Sequence, residues 1–298
     1  MKFWNAEETA RRLPYGPLAE ELAKTLRDAA AGRAQAPQRH VHRLPQEGSL
    51  LLMPAWDDSL GVLKRVSVHP ANAARGLPLV RAEVVAFDAA SGEPLALLDG
   101  EAVTARRTAA LSRLAVERLM QAPPRRMLLV GAGRQARAHL EALLELGLEQ
   151  VFVYNRTLSR SAELAGYARS LGLNAQTVPA PEAAREVDLV VTATASPTPV
   201  VSADLGDAFV VAVGAFTPEM AEVPPERVRA STVVVDTLEG AHAEAGDLIQ
   251  ADVDWSRVHT LADVLEHGPE LAPPLLFKSV GSALFDLAAA RLALAQGT

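Results

Sequence analysis

The sequence contains no cysteine among its 298 residues, which excludes disulfides, thiolate metal sites, iron–sulfur clusters and cysteine nucleophiles. It also lacks long apolar runs, since the longest, such as MLLVGAG and DLVVTATA, fall well short of the roughly 20 residues of a membrane span. Basic residues are in deficit: 29 Lys and Arg against 36 Asp and Glu give a net charge of −7, whereas nucleic-acid and anionic-membrane binding need a basic surface. The first residues lack the apolar core of a secretory signal. These absences predict a soluble, cytoplasmic protein that binds neither nucleic acid nor membranes.

The sequence has the composition of a folded globular protein, with 49% hydrophobic and 22% charged residues. Its length suits two ordinary domains. Up to about residue 104, leucines recur every four residues between Pro17 and Gly32, which predicts a helix beginning near Pro17. The segments VLKRVSVHP, PLVRAEVVAFD and EPLALLDGEAV then have the alternation and the turn residues of strands, which predicts an antiparallel sheet.

From about residue 105 the pattern becomes one of alternating helices and apolar strands. The segment TARRTAALSRLAVERLM predicts a helix, and RMLLVG, VFVYN, NAQTVP, DLVVTATA, FVVAVGA and STVVVD predict strands. These strands are apolar on both faces, as in a parallel sheet covered by helices on each side. The last segment, FKSVGSALFDLAAARLALAQ, predicts a long helix. The fold class is therefore α/β, a doubly wound parallel sheet with a second, smaller domain.

A glycine-rich turn follows the strand RMLLVG. The turn has the G-x-G-x-x-A form of a dinucleotide-binding fingerprint, in the residues Gly131, Gly133, Arg134, Gln135 and Ala136. The first glycine permits the tight turn, the second lets the backbone approach a pyrophosphate, and the small alanine lets helix and strand pack closely. A plain tight turn is the alternative, but the strands and helix around the turn lie where the motif requires them.

The end of the next strand bears on the choice of nucleotide. NAD-dependent enzymes usually place an acidic residue there to bind the ribose 2′-hydroxyl, but this chain has Asn155, Arg156 and Thr157. A guanidinium can pair with a 2′-phosphate, so we expect NADP(H) to be preferred, with NAD(H) also possible. Arg134 is a second candidate for contact with these phosphates. The alternative is that Arg156 is an ordinary solvated arginine.

Two cations occupy positions that are unfavourable without an anion. Lys64 shares a strand face with valines, where an ammonium is costly unless paired. Arg107 falls in the first turn of the predicted helix, where the helix dipole disfavours a cation. Alternatively, Lys64 extends to solvent and Arg107 pairs with Asp99 or Glu101. The residues alone leave both interpretations open, one of them being that Lys64 and Arg107 share a carboxylate site.

The sequence offers no convincing metal site. His40 and His42 would share a strand face, but no third ligand lies at a recognisable spacing. Serine nucleophile elbows, Walker lysines and HExxH motifs are also missing. We therefore expect chemistry that depends on a nucleotide and involves no metal.

Several segments together resemble the ornithine cyclodeaminase/μ-crystallin family: P-x-R ending at Arg39, GVLKRVSVHP, TARRTAALS, LVGAGRQARAHLEAL, VYNRT, VVTATAS, AVGAFTPEMAEV, EAGDL and FKSVGSALFDLAAA. They keep the family's order and cover nearly the whole chain. The resemblance implies a homodimer whose active site lies between two domains. The substrate and dimerisation domain would comprise residues 1–106 and a C-terminal helix, 275–298, and the Rossmann domain residues 107–274.

The resemblance also implies roles for individual residues. Arg39, Lys64 and Arg107 would bind the substrate carboxylate. We expect Lys64 and Arg107 to be catalytic, and Lys64, or a water that it orients, to supply the proton, since an apolar strand face would lower the pKa of the lysine. The residues along the ribose and nicotinamide would be Thr192, Thr194, Val213, Ser279, Val280 and Gly281. In ornithine cyclodeaminases a catalytic aspartate follows the glycine of the segment GAFTPEMAEV, but the corresponding residue here is Phe216, which can neither accept a proton nor pair with an ammonium.

Phe216 therefore favours the branch of the family that reduces cyclic imines. The expected activity is NAD(P)H-dependent reduction of Δ1-pyrroline-2-carboxylate or Δ1-piperideine-2-carboxylate to an L-amino acid such as proline. Phe216 would pack against the apolar part of the substrate ring or, alternatively, in the protein core. Ornithine cyclodeaminase activity, an alanine dehydrogenase-type reaction and a non-catalytic, crystallin-like ligand-binding role are the alternatives.

Overall fold

The computed structural model describes residues 1–268 and 270–296. Up to residue 119 the elements are β1 (Lys2–Trp4), α1 (Ala6–Arg11), α2 (Tyr15–Ala30), β2 (His40–Arg43), β3 (Ser49–Trp56), β4 (Leu60–Val68), β5 (Val80–Asp88), β6 (Pro94–Asp99) and α3 (Gly100–Leu119). Beyond it they are β7 (Arg126–Val130), α4 (Arg134–Leu144), β8 (Gln150–Tyr154), α5 (Leu158–Ser170), β9 (Asn174–Thr177), β10 (Leu189–Thr192), β11 (Phe209–Ala212), α6 (Pro225–Ala230), β12 (Thr232–Val235), α7 (Leu238–Glu244), α8 (Gly246–Gln250), β13 (His259–Thr260), α9 (Leu261–His267), β14 (Leu275–Lys278) and α10 (Ala283–Ala295).

The first of two compact units comprises the residues up to Ala110 and those from Ser282 onward. Its six-stranded sheet has the order β1-β6-β5-β4-β3-β2, in which only the pair β1 and β6 is parallel. The C-terminal helix α10 packs on α2 and on the central strands β3, β4 and β5. Strand β4 agrees with the predicted alternation only in part: Val62 and Lys64 are buried and Leu63 between them is exposed, but Val66 and Val68 are only partly buried and Ser67 between them is buried.

The second unit comprises Leu111–Gly281. Its eight strands are all parallel, in the order β13-β12-β14-β11-β10-β7-β8-β9. From β7 the chain adds β8 and β9 on one side. It then returns to β10 on the other side of β7 and adds β11 next to β10, which is the strand order of a Rossmann fold. Strands β7, β10 and β11 are buried along almost their whole length, in agreement with their apolar sequences. The prediction of an α/β fold with a doubly wound parallel sheet is confirmed.

Three predictions about local structure were wrong. Helix α2 begins at Tyr15, two residues before Pro17. Helix α3 begins at Gly100, because the Asp99 carboxylate accepts a hydrogen bond from the Ala102 backbone N–H and caps the helix there. Arg107 therefore lies well inside the helix, and the argument from the helix dipole does not apply to it.

The third difference lies at the C-terminus. The residues Leu275–Lys278 form a strand, β14, between β11 and β12, and the helix begins only at Ala283. The two units therefore divide after Ala110 and after Gly281, where the sequence had placed the boundaries after residues 106 and 274. A short apolar run fits a buried strand as well as a helix, and here its partners in the sheet decided between them.

Candidate active site

Lys64 is a buried cation on the helix-covered face of strand β4. Its side chain is only 3% exposed. The ammonium nitrogen Nζ donates hydrogen bonds to Thr104 Oγ1 at 2.6 Å and to Asp286 Oδ1 at 3.2 Å. Lys64 therefore does not extend to solvent, and it meets an anion that the sequence had not identified.

Arg107 lies beside the same carboxylate. Its Nε is 3.7 Å from Asp286 Oδ1, and its guanidinium lies 5.6 Å from the centre of the Phe285 ring. The ion pair therefore joins helix α3 to helix α10, through a carboxylate that the sequence had not identified. A single buried carboxylate thus lies next to two buried cations.

The electrostatics of this cluster make Lys64 suitable for proton transfer. Burial lowers the pKa of Lys64 from 10.5 to about 8; Asp286 opposes this, whereas the charges of Arg107 and Arg39 lower the pKa further. Arg39, which is partly buried just before β2, therefore belongs to the same electrostatic cluster. The three basic groups and one carboxylate have an excess of positive charge that suits an anionic ligand such as a carboxylate.

The glycine turn of the second unit has the geometry of a dinucleotide site. Gly131 has a φ of +112°, and a Cβ there would lie 2.6 Å from the Ala193 carbonyl oxygen, so a side chain is excluded. Gly133 is the N-cap of α4 and makes no side-chain cap. A Cβ on Gly133 would meet nothing within 4 Å, which leaves the space in front of the helix open. Ala136 is fully buried, as close packing of helix and strand requires. These residues fit a pyrophosphate at the start of α4.

The residues after β8 are placed where they could contact a ribose. Arg156 is exposed in the loop that follows the strand, and Arg134 is exposed at the first position of α4. Gln135 is the next residue of that helix. Asn155 donates from Nδ2 to the Thr157 carbonyl oxygen at 3.0 Å, and Thr157 is the N-cap of α5. The loop is thereby ordered while the Arg156 side chain remains in solvent.

The remaining predicted cofactor residues lie at or just after the carboxyl ends of β10, β11 and β14. They are Thr192 and Thr194, Val213, and Ser279, Val280 and Gly281. Because neighbouring parallel strands end at the same edge of a sheet, the three segments lie along one edge, which is where α/β proteins bind ligands. Phe216 is 46% exposed in the loop after β11.

A buried glutamate that the sequence analysis missed holds two of these segments. Glu222 is fully buried. Its Oε1 accepts from the Thr194 backbone N–H at 2.6 Å and from Thr194 Oγ1 at 2.7 Å. Its Oε2 accepts from the backbone N–H groups of Gly214 at 2.6 Å and Ala215 at 3.2 Å. One carboxylate therefore ties the loop after β10 to the loop after β11.

Two further buried carboxylates accept hydrogen bonds at the same edge of the sheet. Asp247 accepts from the Glu222 backbone N–H at 2.5 Å and lies 2.6 Å from Lys278 Nζ. Asp236 Oδ2 accepts from Ser279 Oγ at 2.7 Å and from the backbone N–H of Gly281 at 2.8 Å. Asp236 and Asp286 carried a signal in the sequence, since each is an acidic residue within or directly after an apolar run.

Residues 1–268 and 270–296 contain neither a membrane-spanning helix nor a cluster of metal ligands. No helix there combines the length and the apolar composition that crossing a membrane requires. No group of three or more His, Cys, Asp or Glu residues there is arranged to hold a metal ion.

Comparisons with known proteins agree over nearly the whole chain. The model of the ornithine cyclodeaminase/mu-crystallin family matches residues 3–295. The Delta(1)-pyrroline-2-carboxylate reductase 2 of Burkholderia ambifaria is 43% identical over 292 residues, which cover 97% of this chain and 94% of the relative. The Delta(1)-pyrroline-2-carboxylate/Delta(1)-piperideine-2-carboxylate reductase of Azospirillum brasilense is 43% identical over 297 residues, with the same coverage of both chains.

Two solved structures have the same fold. The Thermococcus litoralis Delta(1)-pyrroline-2-carboxylate reductase, in complex with NADH and L-proline, superimposes with a TM-score of 0.91 at 29% identity, covering 99% of this chain and 97% of that chain. An archaeal alanine dehydrogenase dimer with bound NAD also has a TM-score of 0.91, at 27% identity, and the match covers 99% of this chain and 95% of that chain.

Proposed function

The chain belongs to the ornithine cyclodeaminase/mu-crystallin family, and we propose that it is an NAD(P)H-dependent reductase of cyclic imino acids. Its substrate would be Δ1-pyrroline-2-carboxylate or Δ1-piperideine-2-carboxylate, and its product the cyclic L-amino acid, such as proline. The observation that carries the proposal is the buried cluster in which Lys64 and Arg107 lie beside Asp286, with Arg39 adding to the positive charge. The names of the relatives from Burkholderia ambifaria and Azospirillum brasilense support the same substrates.

In this proposal the first unit binds the acid group of the substrate. Arg39 and Arg107 pair with the carboxylate, and this orientation can supply several kcal/mol of the barrier. Lys64 donates a proton to the ring nitrogen. With a pKa of about 8, Lys64 is mostly protonated at neutral pH and still acidic enough to release the proton.

The second unit binds the nucleotide. Gly131, Gly133 and the N-terminus of α4 would hold the pyrophosphate, and the loops tied by Glu222 would hold the ribose and nicotinamide. The reduced nicotinamide supplies the hydride that adds to the imine carbon. One hydride on carbon and one proton on nitrogen convert the C=N bond to CH–NH, so the reaction consumes one NAD(P)H and one proton for each amino acid formed.

Phe216 separates this proposal from the ornithine lyase alternative. Its phenyl ring replaces the aspartate that cyclodeaminases carry in this segment, and it is 46% exposed. A phenyl ring cannot accept a proton from ornithine, but it can pack on the apolar edge of a substrate ring.

The test is to incubate the purified protein with each cyclic imine and with NADPH or NADH, and to follow the loss of reduced-nicotinamide absorbance. We expect turnover of at least one imine. Lys64→Ala should lower kcat by at least about 100-fold, as for the loss of a general acid. Lys24→Ala, which removes an exposed lysine of the same unit, should have no effect.

The outcomes separate the alternatives. If neither imine is reduced with either nucleotide, the proposed function is wrong. Release of ammonia and proline from ornithine, without net consumption of nucleotide, would support a cyclodeaminase instead. Reduction of pyruvate in the presence of ammonia would support an alanine dehydrogenase. Binding of nucleotide with no turnover of any of these substrates would support the crystallin-like role.

We also propose that NADP(H) is preferred over NAD(H). The support is the exposed Arg156 at the end of β8, where no acidic residue is present to repel a 2′-phosphate. Arg156→Ala should raise the KM for NADPH by about tenfold or more, because a hydrogen-bonded charge pair contributes about 1.5–3 kcal/mol, and should leave the KM for NADH almost unchanged. Arg160→Ala, an exposed arginine of the following helix, is the control. Equal effects of Arg156→Ala on both nucleotides would refute the preference.

The functional form would be a homodimer formed through the first unit. The archaeal alanine dehydrogenase neighbour is described as a dimer. Most exposed large apolar side chains in the described residues belong to the first unit, among them Phe3, Val41 and Leu79. Sedimentation equilibrium should give twice the mass of the chain, and a monomer at micromolar concentration would contradict the proposal.

A further inference from the structure

Helix α10 contains a buried acidic residue in an otherwise apolar context. Asp286 lies within the segment ALFDLAAARLALA and is completely buried, as are its neighbours Phe285 and Leu287. Burying a carboxylate is costly unless cations and hydrogen bonds compensate. An alanine at this position would avoid the cost and suit the helix better. The carboxylate therefore requires an explanation beyond packing.

The contacts of Asp286 show what it acts on. Its Oδ1 accepts a hydrogen bond from Lys64 Nζ at 3.2 Å and lies 3.7 Å from Arg107 Nε. Its Oδ2 is buried and has no hydrogen-bond donor among residues 1–268 and 270–296. The carboxylate is thus directed at two cations that the proposed function uses.

Thr104 completes the arrangement around the lysine. Its hydroxyl donates its only hydrogen to the Gly100 carbonyl oxygen at 2.7 Å, so toward Lys64 it can act only as an acceptor. The ammonium has three N–H donors, and two of them are directed to Thr104 and Asp286. The direction of the third N–H bond is thereby fixed. A lysine that donates a proton to a bound substrate needs such a fixed direction.

We propose that Asp286 is a positioning residue for the proton donor, Lys64; this proposal rests on the proposed function. Together with Thr104 it holds the Lys64 ammonium in one orientation, and its negative charge retains the proton on Lys64 between two arginines. Asp286 itself transfers no proton to the substrate.

The surroundings of Lys64 make this charge necessary. Thr104 and Arg107 face it from α3, Asp286 faces it from α10, and Arg39 acts on it from the segment before β2. Its partners in the sheet, Met53 and Val84, are apolar and buried. Without Asp286, the charged groups that act on Lys64 would all be cations, and each of them disfavours the ammonium form.

The chain allows this idea to be tested without enzyme activity. It contains only four lysines, Lys2, Lys24, Lys64 and Lys278. Labelling the lysine ε-carbons with ¹³C therefore gives four NMR signals, of which Lys64→Arg identifies one. In the unaltered protein the Lys64 signal should titrate near pH 8.

Asp286→Asn should lower the titration midpoint of Lys64 by one to three pH units, the range expected for losing an opposite charge at this distance. Asp58→Asn, which neutralises an exposed carboxylate of the same unit, should leave the midpoint unchanged. The signal of Lys278, which lies in the other unit, reports whether the variant is folded. An unchanged Lys64 midpoint in folded Asp286→Asn would overturn the proposal.

Kinetics provide a second readout. The fall of kcat/KM at high pH, which reports loss of the proton from Lys64, should move to lower pH in Asp286→Asn by the same amount as the NMR midpoint. Asp286→Glu should recover part of the shift, because it restores the charge. A lower kcat with the pH profile in its original place would mean a purely structural role and would refute the proposal.

If Asp286→Asn does not fold, Thr104→Val replaces it. This variant keeps the shape of the side chain and removes the other acceptor, so it should also lower the Lys64 midpoint, and an unchanged midpoint would contradict the proposal. The two hypotheses fail separately. Absence of imine reduction by the unaltered protein would refute the proposed function, whereas the NMR titration tests Asp286 whether or not an imine is reduced.

Discussion

Replacing Glu222 by glutamine should lower the free energy of unfolding by roughly 1.5 to 3 kcal/mol, because it removes at least one of four buried hydrogen bonds to a carboxylate. Each carboxylate oxygen accepts two of these bonds, Oε1 from Thr194 and Oε2 from Gly214 and Ala215. A glutamine has one acceptor oxygen and one NH2 group. If the NH2 group faces Gly214 and Ala215, two bonds are lost; if it faces Thr194, the hydroxyl can accept from it and only the bond from the Thr194 backbone N–H is lost. At least one bond is therefore lost, at about 1.5–3 kcal/mol.

The prediction assumes that Glu222 is ionised in the folded protein. Burial raises the pKa of Glu222 above its usual value, and the charge of Asp247 adds to this, whereas the charge of Lys278 and the hydrogen bonds from Thr194 oppose it. The geometry favours the carboxylate, because each of its oxygens accepts from a backbone N–H group.

The assay is urea unfolding followed by circular dichroism, with the free energy extrapolated to water. Glu219→Gln is the matched control, since Glu219 is exposed three residues earlier in the same segment, and its effect should stay within about 0.5 kcal/mol. The nucleotide should also bind more weakly to Glu222→Gln, because the variant loses hydrogen bonds that connect the loop after β10 to the loop after β11. A loss of stability below about 1 kcal/mol would refute the four-bond account of Glu222.

Two further predictions concern the second unit. Gly133→Ala should change the free energy of unfolding by less than about 1 kcal/mol, since a Cβ there meets no atom within 4 Å. The same variant should bind the nucleotide at least tenfold more weakly, as measured by titration of nucleotide fluorescence. Equal affinity would mean that no pyrophosphate approaches this glycine. His139 is buried, with Nδ1 donating to the Gln135 carbonyl oxygen at 2.8 Å and Nε2 accepting from Ser112 at 2.9 Å, and burial lowers its pKa from 6.5 to about 4. Since the unfolded chain binds this proton first, stability should fall by roughly 3 kcal/mol as the pH drops from 6.5 to 4, as measured by urea unfolding. His139→Gln should flatten that decline, and the same slope in both proteins would contradict the assignment.

Much of the fold was predictable from the sequence because its determinants are local. The burial of Val62 and Lys64 on one face of β4, the continuous apolar strands of the second unit and the glycine turn before α4 all follow from side-chain chemistry over a few residues. The start of α3 was missed, although the Asp99 cap was present in the sequence, because apolar periodicity is a weaker guide to the ends of helices than to their existence.

The candidate site was predictable only in part. Lys64 drew attention because it is a cation on an apolar strand face. Arg107 was singled out because the helix was expected to begin near it, a reason that the start of α3 at Gly100 removes, and the resemblance added Arg39. Their common partner Asp286 was not found, since it lies 222 residues from Lys64 along the chain and no spacing rule connects them. Glu222 was missed for the same reason, because its hydrogen-bond donors belong to two separate loops.

By itself the sequence determined most of the strands and helices of the second unit, the place of the glycine turn and the need of Lys64 for an anion, because these properties depend on neighbouring residues. Only the tertiary structure decided that Leu275–Lys278 is an internal strand and that Asp286 and Glu222 compensate buried donors. The physical reason is that hydrogen bonds and ion pairs in a core are satisfied by groups close in space, and distance along the chain does not reveal which groups those are.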